Sequence, residues 1–275
     1  MRELDLGYSP SAVARDPGGS LRRYRSRGDD ARARLDVDEA VRYGRNPGER
    51  CHVFPGGPSA LVFVHGGHWQ ESGIDDACFA ASDAVANGYT FVAVGYGLAP
   101  ARTVPEMITS VARALTWLAE SGARYGIDPH RLHVAGSSAG AHLLAAALAV
   151  GDTPRVRGAC LLSGLYDLTE VPYTYVNEAV GLTPEQAREC SPVRMPVPAC
   201  DSVLLAAGQH ETPTYLRQHE EYLAHLSALG VPVTGRIVPG RDHFDLPLDL
   251  ADPATPLGRA CLARWRTTEG PVTSR

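Results

Sequence analysis

A serine with glycines two places before and two places after it, in Gly136-Ser137-Ser138-Ala139-Gly140, constrains this chain more than any other feature. An apolar run over 132–135 precedes it and an alanine-rich helical stretch over 141–150 follows it. A serine at the centre of G-x-S-x-G sits on a tight strand-to-helix turn, where strained backbone pushes its Oγ outward. A Cβ at either glycine would collide with the adjoining strand or helix. The helix opening at Ala139 aims its first amide at the same spot as an oxyanion donor. Ser138 is therefore the expected nucleophile. Ser137 fills the variable position and cannot share the role.

The rest of the chain repeats this strand-then-helix order. Apolar runs over 60–64, 90–94, 131–135, 159–162 and 203–207 alternate with helical patterns over 75–87, 104–124, 139–150 and 213–229. Continuous apolar strands suit a sheet buried on both faces. Their alternation with helices predicts a mostly parallel, doubly wound sheet in a single α/β domain over 1–275. Two segments break the rhythm. Residues 1–50 are rich in Arg, Asp and Gly with little strand character, and predict an N-terminal cover carrying one helix over 21–35, interrupted at Gly28. Residues 165–198 carry Pro172, Pro184, Pro192, Pro196 and Pro198, and predict a lid-like insertion over the carboxyl edge of the sheet.

Composition narrows the partners. Apolar residues make up 44% and charged residues 21%, with a net charge of −5, so no basic surface favours nucleic acid or an anionic membrane. The N-terminus shows no apolar signal-peptide core, and no run reaches the roughly 18–20 apolar residues that span a bilayer. Six cysteines lack ligand or disulfide spacing, which predicts a reduced, cytoplasmic protein in which Cys160 and Cys261 are small core residues. The expected partner is a small-molecule substrate; a homodimer is left open.

The first apolar run ends in His65-Gly66-Gly67-His68-Trp69. Adjacent glycines let a backbone amide approach a developing oxyanion with no side chain between them, so Gly66 and Gly67 are candidate donors, Gly67 ahead. His65 and His68 have no Asp, Glu or Cys at ligand spacing; no metal is expected, and His65 is read as a brace for the loop. The base follows the nucleophile late in the chain if the order is Ser, acid, His. His243, beyond a strand pattern over 234–238, is the expected base, ahead of His210, His219 and His225. The last two lie in a helical pattern beside Glu220 and Glu221 and are expected to be exposed. Glu211 is the first carboxylate after the 203–207 run and is the expected acid, holding the His tautomer. Asp242 and Asp245 lie too close to His243 in sequence for a productive angle on Nδ1. Asp167, after the preceding strand, is the alternative acid.

With these residues in place, the chain resembles the kynurenine formamidase (arylformamidase) branch of the α/β hydrolases. The resemblance rests on His65-Gly66-Gly67-His68-Trp69, on Gly136-Ser137-Ser138-Ala139-Gly140-Ala141-His142-Leu143, and on Tyr43-Gly44, Glu49-Arg50 and Val53-Phe54-Pro55 ahead of them. Glu211-Thr212-Pro213 with Gln218, then His243-Phe244-Asp245, match the late segments, although many members carry Asp where Glu211 stands. The resemblance implies an α/β-hydrolase fold and hydrolysis of N-formyl-L-kynurenine to formate and kynurenine, with no cofactor. It also implies that Trp69, with His68 beside it, contacts the substrate's aromatic ring, or else that Trp69 is a plug shaping the loop. Tyr173 and Tyr175, in the lid-like segment, are lesser candidates for the pocket. A carboxylesterase or amidase on another small acyl compound is the competing enzyme reading. A ligand-binding protein on a retired scaffold would have lost residues that are present here.

Overall fold

The apolar runs become the centre of one sheet. In the computed structural model, which describes residues 2–150 and 153–269, the parallel strands are β3 (Ser59–Val64), β4 (Tyr89–Val94), β5 (Leu132–Ser137), β6 (Gly158–Leu162), β7 (Val203–His210) and β8 (Val233–Asp242). The ends of the expected 1–275 domain lie outside the described residues. Two further strands, β1 (Asp38–Arg42) and β2 (Arg50–Phe54), pair antiparallel at one edge, giving the order β1-β2-β4-β3-β5-β6-β7-β8. The helices are α1 (Glu3–Gly7), α2 (Pro17–Arg34), α3 (Ala81–Ala86), α4 (Val104–Ser121), α5 (Ala139–Ala149), α6 (Asn177–Val180), α7 (Pro184–Glu189), α8 (Pro213–Ala228) and α9 (Pro256–Glu269).

Alternation along each strand divides the core in two. From β3, Val62 and Val64 belong to the same core cluster as Leu115 of α4, Leu143 of α5 and Tyr222 of α8. Its Leu61 and Phe63 face the other way, into the cluster that holds Ala81 of α3 and Cys261 and Trp265 of α9. Because every strand from β3 to β7 is apolar on both faces, helices must cover both. All six cysteines are free and buried. Among the described residues, no helix is long and apolar enough to cross a membrane.

The structure corrects the reading of the N-terminal segment. Residues 1–50 do contain strand: β1 reads Asp38-Glu39-Ala40-Val41-Arg42 and lies at a polar, part-exposed edge, so no apolar run announces it. Its place is decided by pairing with β2, a tertiary fact. Nor does Gly28 interrupt the helix. α2 runs unbroken through it, and a Cβ there would lie 2.7 Å from the Asp75 carbonyl oxygen. Gly28 is a close-approach residue that lets α2 lie flat on the segment that follows the His65–Trp69 loop. The pattern expected over 75–87 also divides, into a 3-10 stretch Asp76–Ala80 followed by α3.

A second correction concerns what covers the sheet's carboxyl edge. The 165–198 segment forms short turns of helix, including α6 and α7, but contributes no residue to the cavity above β3, β5 and β8. That cavity is roofed by α2, through Leu21, Arg22, Tyr24, Arg25, Ser26 and Asp29. The helix is tied down onto the loop after β8: the Tyr24 hydroxyl donates to the Phe244 carbonyl at 2.6 Å, and the Arg15 amide donates to Asp242 at 3.0 Å.

Candidate active site

Four chain segments reach one place because parallel strands deliver their carboxyl ends to the same edge. β3 supplies the His65–Trp69 loop, β5 supplies Ser138, β7 leads into Glu211, and β8 leads into His243. Ser138 has φ 54° and ψ −120°, a strained backbone that a non-glycine residue keeps only where its surroundings fix it. Those surroundings are visible. The Ser138 amide donates to the Leu162 carbonyl of β6 at 2.8 Å, while the His142 amide donates back to the Ser138 carbonyl at 3.1 Å and starts α5. A Cβ on Gly140 would fall 2.1 Å from the Val64 carbonyl oxygen, so only glycine lets α5 begin against β3. Ala139 occupies the first position of α5, where an amide has no intrahelical acceptor.

The His243 ring is held by a buried carboxylate. Nδ1 lies 3.0 Å and 3.2 Å from the two Glu211 oxygens, and the Glu211 side chain is completely buried. An ionised carboxylate there can only accept, so Nδ1 carries the proton and Nε2 is left as the basic nitrogen. Ser138 and His243 line the same cavity, without a direct hydrogen bond between them among the described residues. Such contacts are often long in an unliganded enzyme and tighten around substrate.

The rival carboxylates are engaged elsewhere. Asp167 accepts from the Thr169 amide and hydroxyl at 2.9 Å and 2.6 Å and pairs with Arg194 at 3.1 Å. Burial alone would raise its pKa; these partners hold it below the ordinary value. Asp242 accepts from the Phe244 and Asp245 amides at 2.9 Å and 3.1 Å, and Asp245 accepts from the Asp242 amide at 2.7 Å. The pair shapes the turn that presents His243. Among the other late histidines, His210 is exposed and His225 stacks on Tyr222. His219, expected at the surface, is instead buried on the inner face of α8. Helical spacing alone did not show which face of α8 turns inward.

Gly66 and Gly67 line the cavity wall beside Ser138. Gly67 has φ 105°, and a Cβ there would lie 2.2 Å from the Glu71 carbonyl oxygen, so the loop closes only with glycine. His65 stacks on Tyr96 with ring centroids 4.5 Å apart, and its Nδ1 lies 2.8 Å from the Gly66 carbonyl oxygen. Trp69 and His68 do not line the cavity. Trp69 is completely buried, and its Nε1–H donates to His142 Nδ1 at 3.1 Å, while His142 Nε2 meets the Cys190 carbonyl at 2.8 Å. Trp69 is the plug of the loop, locked to the helix that carries Ser138. His68 turns its Nε2 to the Tyr215 hydroxyl at 3.0 Å. Tyr173 and Tyr175 are solvent-exposed and stand away from the cavity.

Tyr215 was not singled out in the sequence. It lies one turn into α8 behind Thr212, which caps that helix, and its ring meets His243 edge-on at 4.7 Å. Its hydroxyl also interacts with Ser138. The only signal was its spacing of four from Glu211, which places it on the first turn after the acid loop. The aromatic walls Tyr24, Phe63, Phe79 and Phe244 were equally unmarked; they line a cavity of about 570 Å³.

Burial pushes the pKa of His65, His68 and His142 down to about 4. The unfolded chain takes up these protons near pH 6.5, the folded chain only near pH 4. Stability is therefore lost as pH falls through that window, by up to about 3 kcal/mol per ring, and none is lost above it. Urea unfolding at pH 7.0, 5.5 and 4.5 should show the midpoint falling. In His142→Gln, which can still accept from Trp69 and donate to Cys190, the fall should be shallower. An identical slope in the variant would remove His142 from this account.

Residues 61–245 match the α/β-hydrolase fold family. The chain is an α/β hydrolase. This hydrolase is 32% identical to kynurenine formamidase of Danio rerio, over 91% of each chain. It is 34% identical to kynurenine formamidase of Salmo salar, over 77% of this chain and 76% of that one. It belongs to the kynurenine formamidase-like branch of the family and is a hydrolytic enzyme. A crystal structure from a Silicibacter species, provisionally described as a thioesterase, superposes with a TM-score of 0.82 at 26% identity. That alignment covers 96% of this chain and 100% of the other.

Proposed function

We propose that this hydrolase is an arylformamidase that releases formate from N-formyl-L-kynurenine or a closely similar aryl formamide, using Ser138, His243 and Glu211 as its triad. The observation that carries this reading is the aromatic-walled cavity opening on Ser138, which suits a flat aryl group with its acyl carbon at the serine. The names of the relatives that match over most of their length support the same substrate.

The arrangement of these residues supports the following steps. Ser138 Oγ attacks the formyl carbon as His243 Nε2 takes its proton. The amides of Ala139 and of the Gly66–Gly67 loop receive the negative charge that develops on the formyl oxygen. Glu211 stabilises the imidazolium without taking its proton. His243 then hands the proton to the departing arylamine nitrogen, and the C–N bond breaks. Water, activated by the same imidazole, cleaves the formyl ester and regenerates Ser138 with release of formate.

The test is turnover of N-formyl-L-kynurenine beside p-nitrophenyl acetate by the purified protein. The formamide is expected to have the higher kcat/KM. Ester turnover alone would remove the formamidase reading and leave an ester or thioester hydrolase, which the Silicibacter structure favours. No turnover of either compound would remove both substrate readings.

A further inference from the structure

We propose that Arg22 of α2 and Glu71 set the specificity of the cavity for the charged end of the substrate, Arg22 taking its carboxylate and Glu71 its ammonium. The inference rests on the formamidase reading and adds the residues that would read the part of the substrate remote from the scissile bond.

The argument is one of unspent charge. Five residues of formal charge line the cavity: Arg22, Arg25, Asp29, Glu71 and Asp76. Three of them already have partners. Arg25 pairs with Asp76 at 3.2 Å, and Asp29 pairs with Arg32 at 2.5 Å. Arg22 and Glu71 have no side-chain hydrogen bond or ion pair among the described residues. They approach from different elements: Arg22 from the α2 roof, Glu71 from the end of the oxyanion loop. One free cation and one free anion over an aromatic-walled cavity are complementary to a ligand with one charge of each sign and a flat ring. A neutral ester or simple anilide would leave both exposed charges to water and gain nothing from either. A guanidinium suits a carboxylate through paired N–H donors. A carboxylate such as Glu71 can accept from the three N–H donors of an ammonium. Charge-assisted hydrogen bonds of this kind are worth about tenfold or more in binding.

The test compares three formamides that share the 2-formamidophenyl ketone: N-formyl-L-kynurenine, its des-amino analogue that keeps the carboxylate, and the neutral N-(2-acetylphenyl)formamide. The wild-type KM is expected to be lowest for the zwitterion, by about tenfold or more over the neutral compound. Arg22→Gln is expected to raise KM for both carboxylate-bearing substrates about tenfold relative to its effect on the neutral one. Glu71→Gln is expected to penalise the zwitterion alone. Equal treatment of all three substrates by the wild-type protein, or equal effects of each variant on all three, would overturn the head-group assignment while the formamidase reading stood. Failure to hydrolyse any of the three, with p-nitrophenyl acetate still cleaved, would overturn both. A variant that misfolds shows itself in the neutral substrate and in its circular dichroism, and the three wild-type KM values alone then decide.

Discussion

Replacing Ser138 with alanine is expected to lower kcat by about 10⁴-fold or more on every acyl substrate, with little change in KM. The residual rate would come from the oxyanion donors and from binding, which the substitution leaves in place. Two features make the loss severe. The turn at Ser138, at φ 54°, is held by main-chain hydrogen bonds to Leu162 and from His142 that an alanine would keep, so the variant loses Oγ without remodelling the turn. Ser137 also lines the cavity but ends β5 ahead of the turn, and among the described residues it makes no hydrogen bond to His243 or Glu211. Alanine also tolerates the left-handed backbone no worse than serine, so folding should be retained. Full activity in Ser138→Ala, measured by steady-state kinetics with N-formyl-L-kynurenine and p-nitrophenyl acetate, would end the serine mechanism.

Glu211→Gln is the second large effect, a loss of about 10⁴-fold in kcat. Gln has the shape of Glu but can present an N–H to His243 Nδ1, which forces the ring into the tautomer with its proton on Nε2. That nitrogen then cannot accept the Ser138 proton. The completely buried carboxylate also loses the charge that balances the imidazolium in the transition state. Glu211→Asp keeps the charge but withdraws it by one methylene, so a milder loss, on the order of 10- to 100-fold, is expected from misplacement alone. An unchanged rate in Glu211→Gln would move the acid elsewhere. Asp167 would then have to leave Thr169 and Arg194 to serve, and Arg194→Ala would become the informative variant.

The sequence carried the strands far better than the edges. Runs such as 60–64 and 203–207 are apolar at every position because both of their faces are covered, so composition alone reveals them. β1 is invisible by the same criterion, since an edge strand with one solvated side needs no apolar pattern. The misreading of Gly28 has a related cause. A glycine in a helix weakens it locally, and only the nearness of the Asp75 carbonyl shows why this helix keeps one. His219 is placed at the surface by chain position alone, and chain position does not say which way a side chain faces; the same limit leaves Trp69 open between substrate contact and plug. The lid was sought in the proline-rich 165–198 segment because prolines mark irregular excursions; the roof came instead from α2, a regular helix with no local mark of that role.

By itself, the sequence determined the class of fold, the strained serine turn, the glycine loop and the order in which Ser138, Glu211 and His243, the proposed triad, follow one another. These are local demands: a turn that admits only glycine, a strand that must be buried, a residue type that can accept a proton. Tertiary structure decided which carboxylate meets His243, with Glu211 at 3.0 Å and Asp167 held by Arg194. It also decided which segment roofs the cavity and which charges over it have no side-chain partner among the described residues. Each of these depends on distances between residues far apart in the chain, and those distances are fixed by packing that no local pattern records.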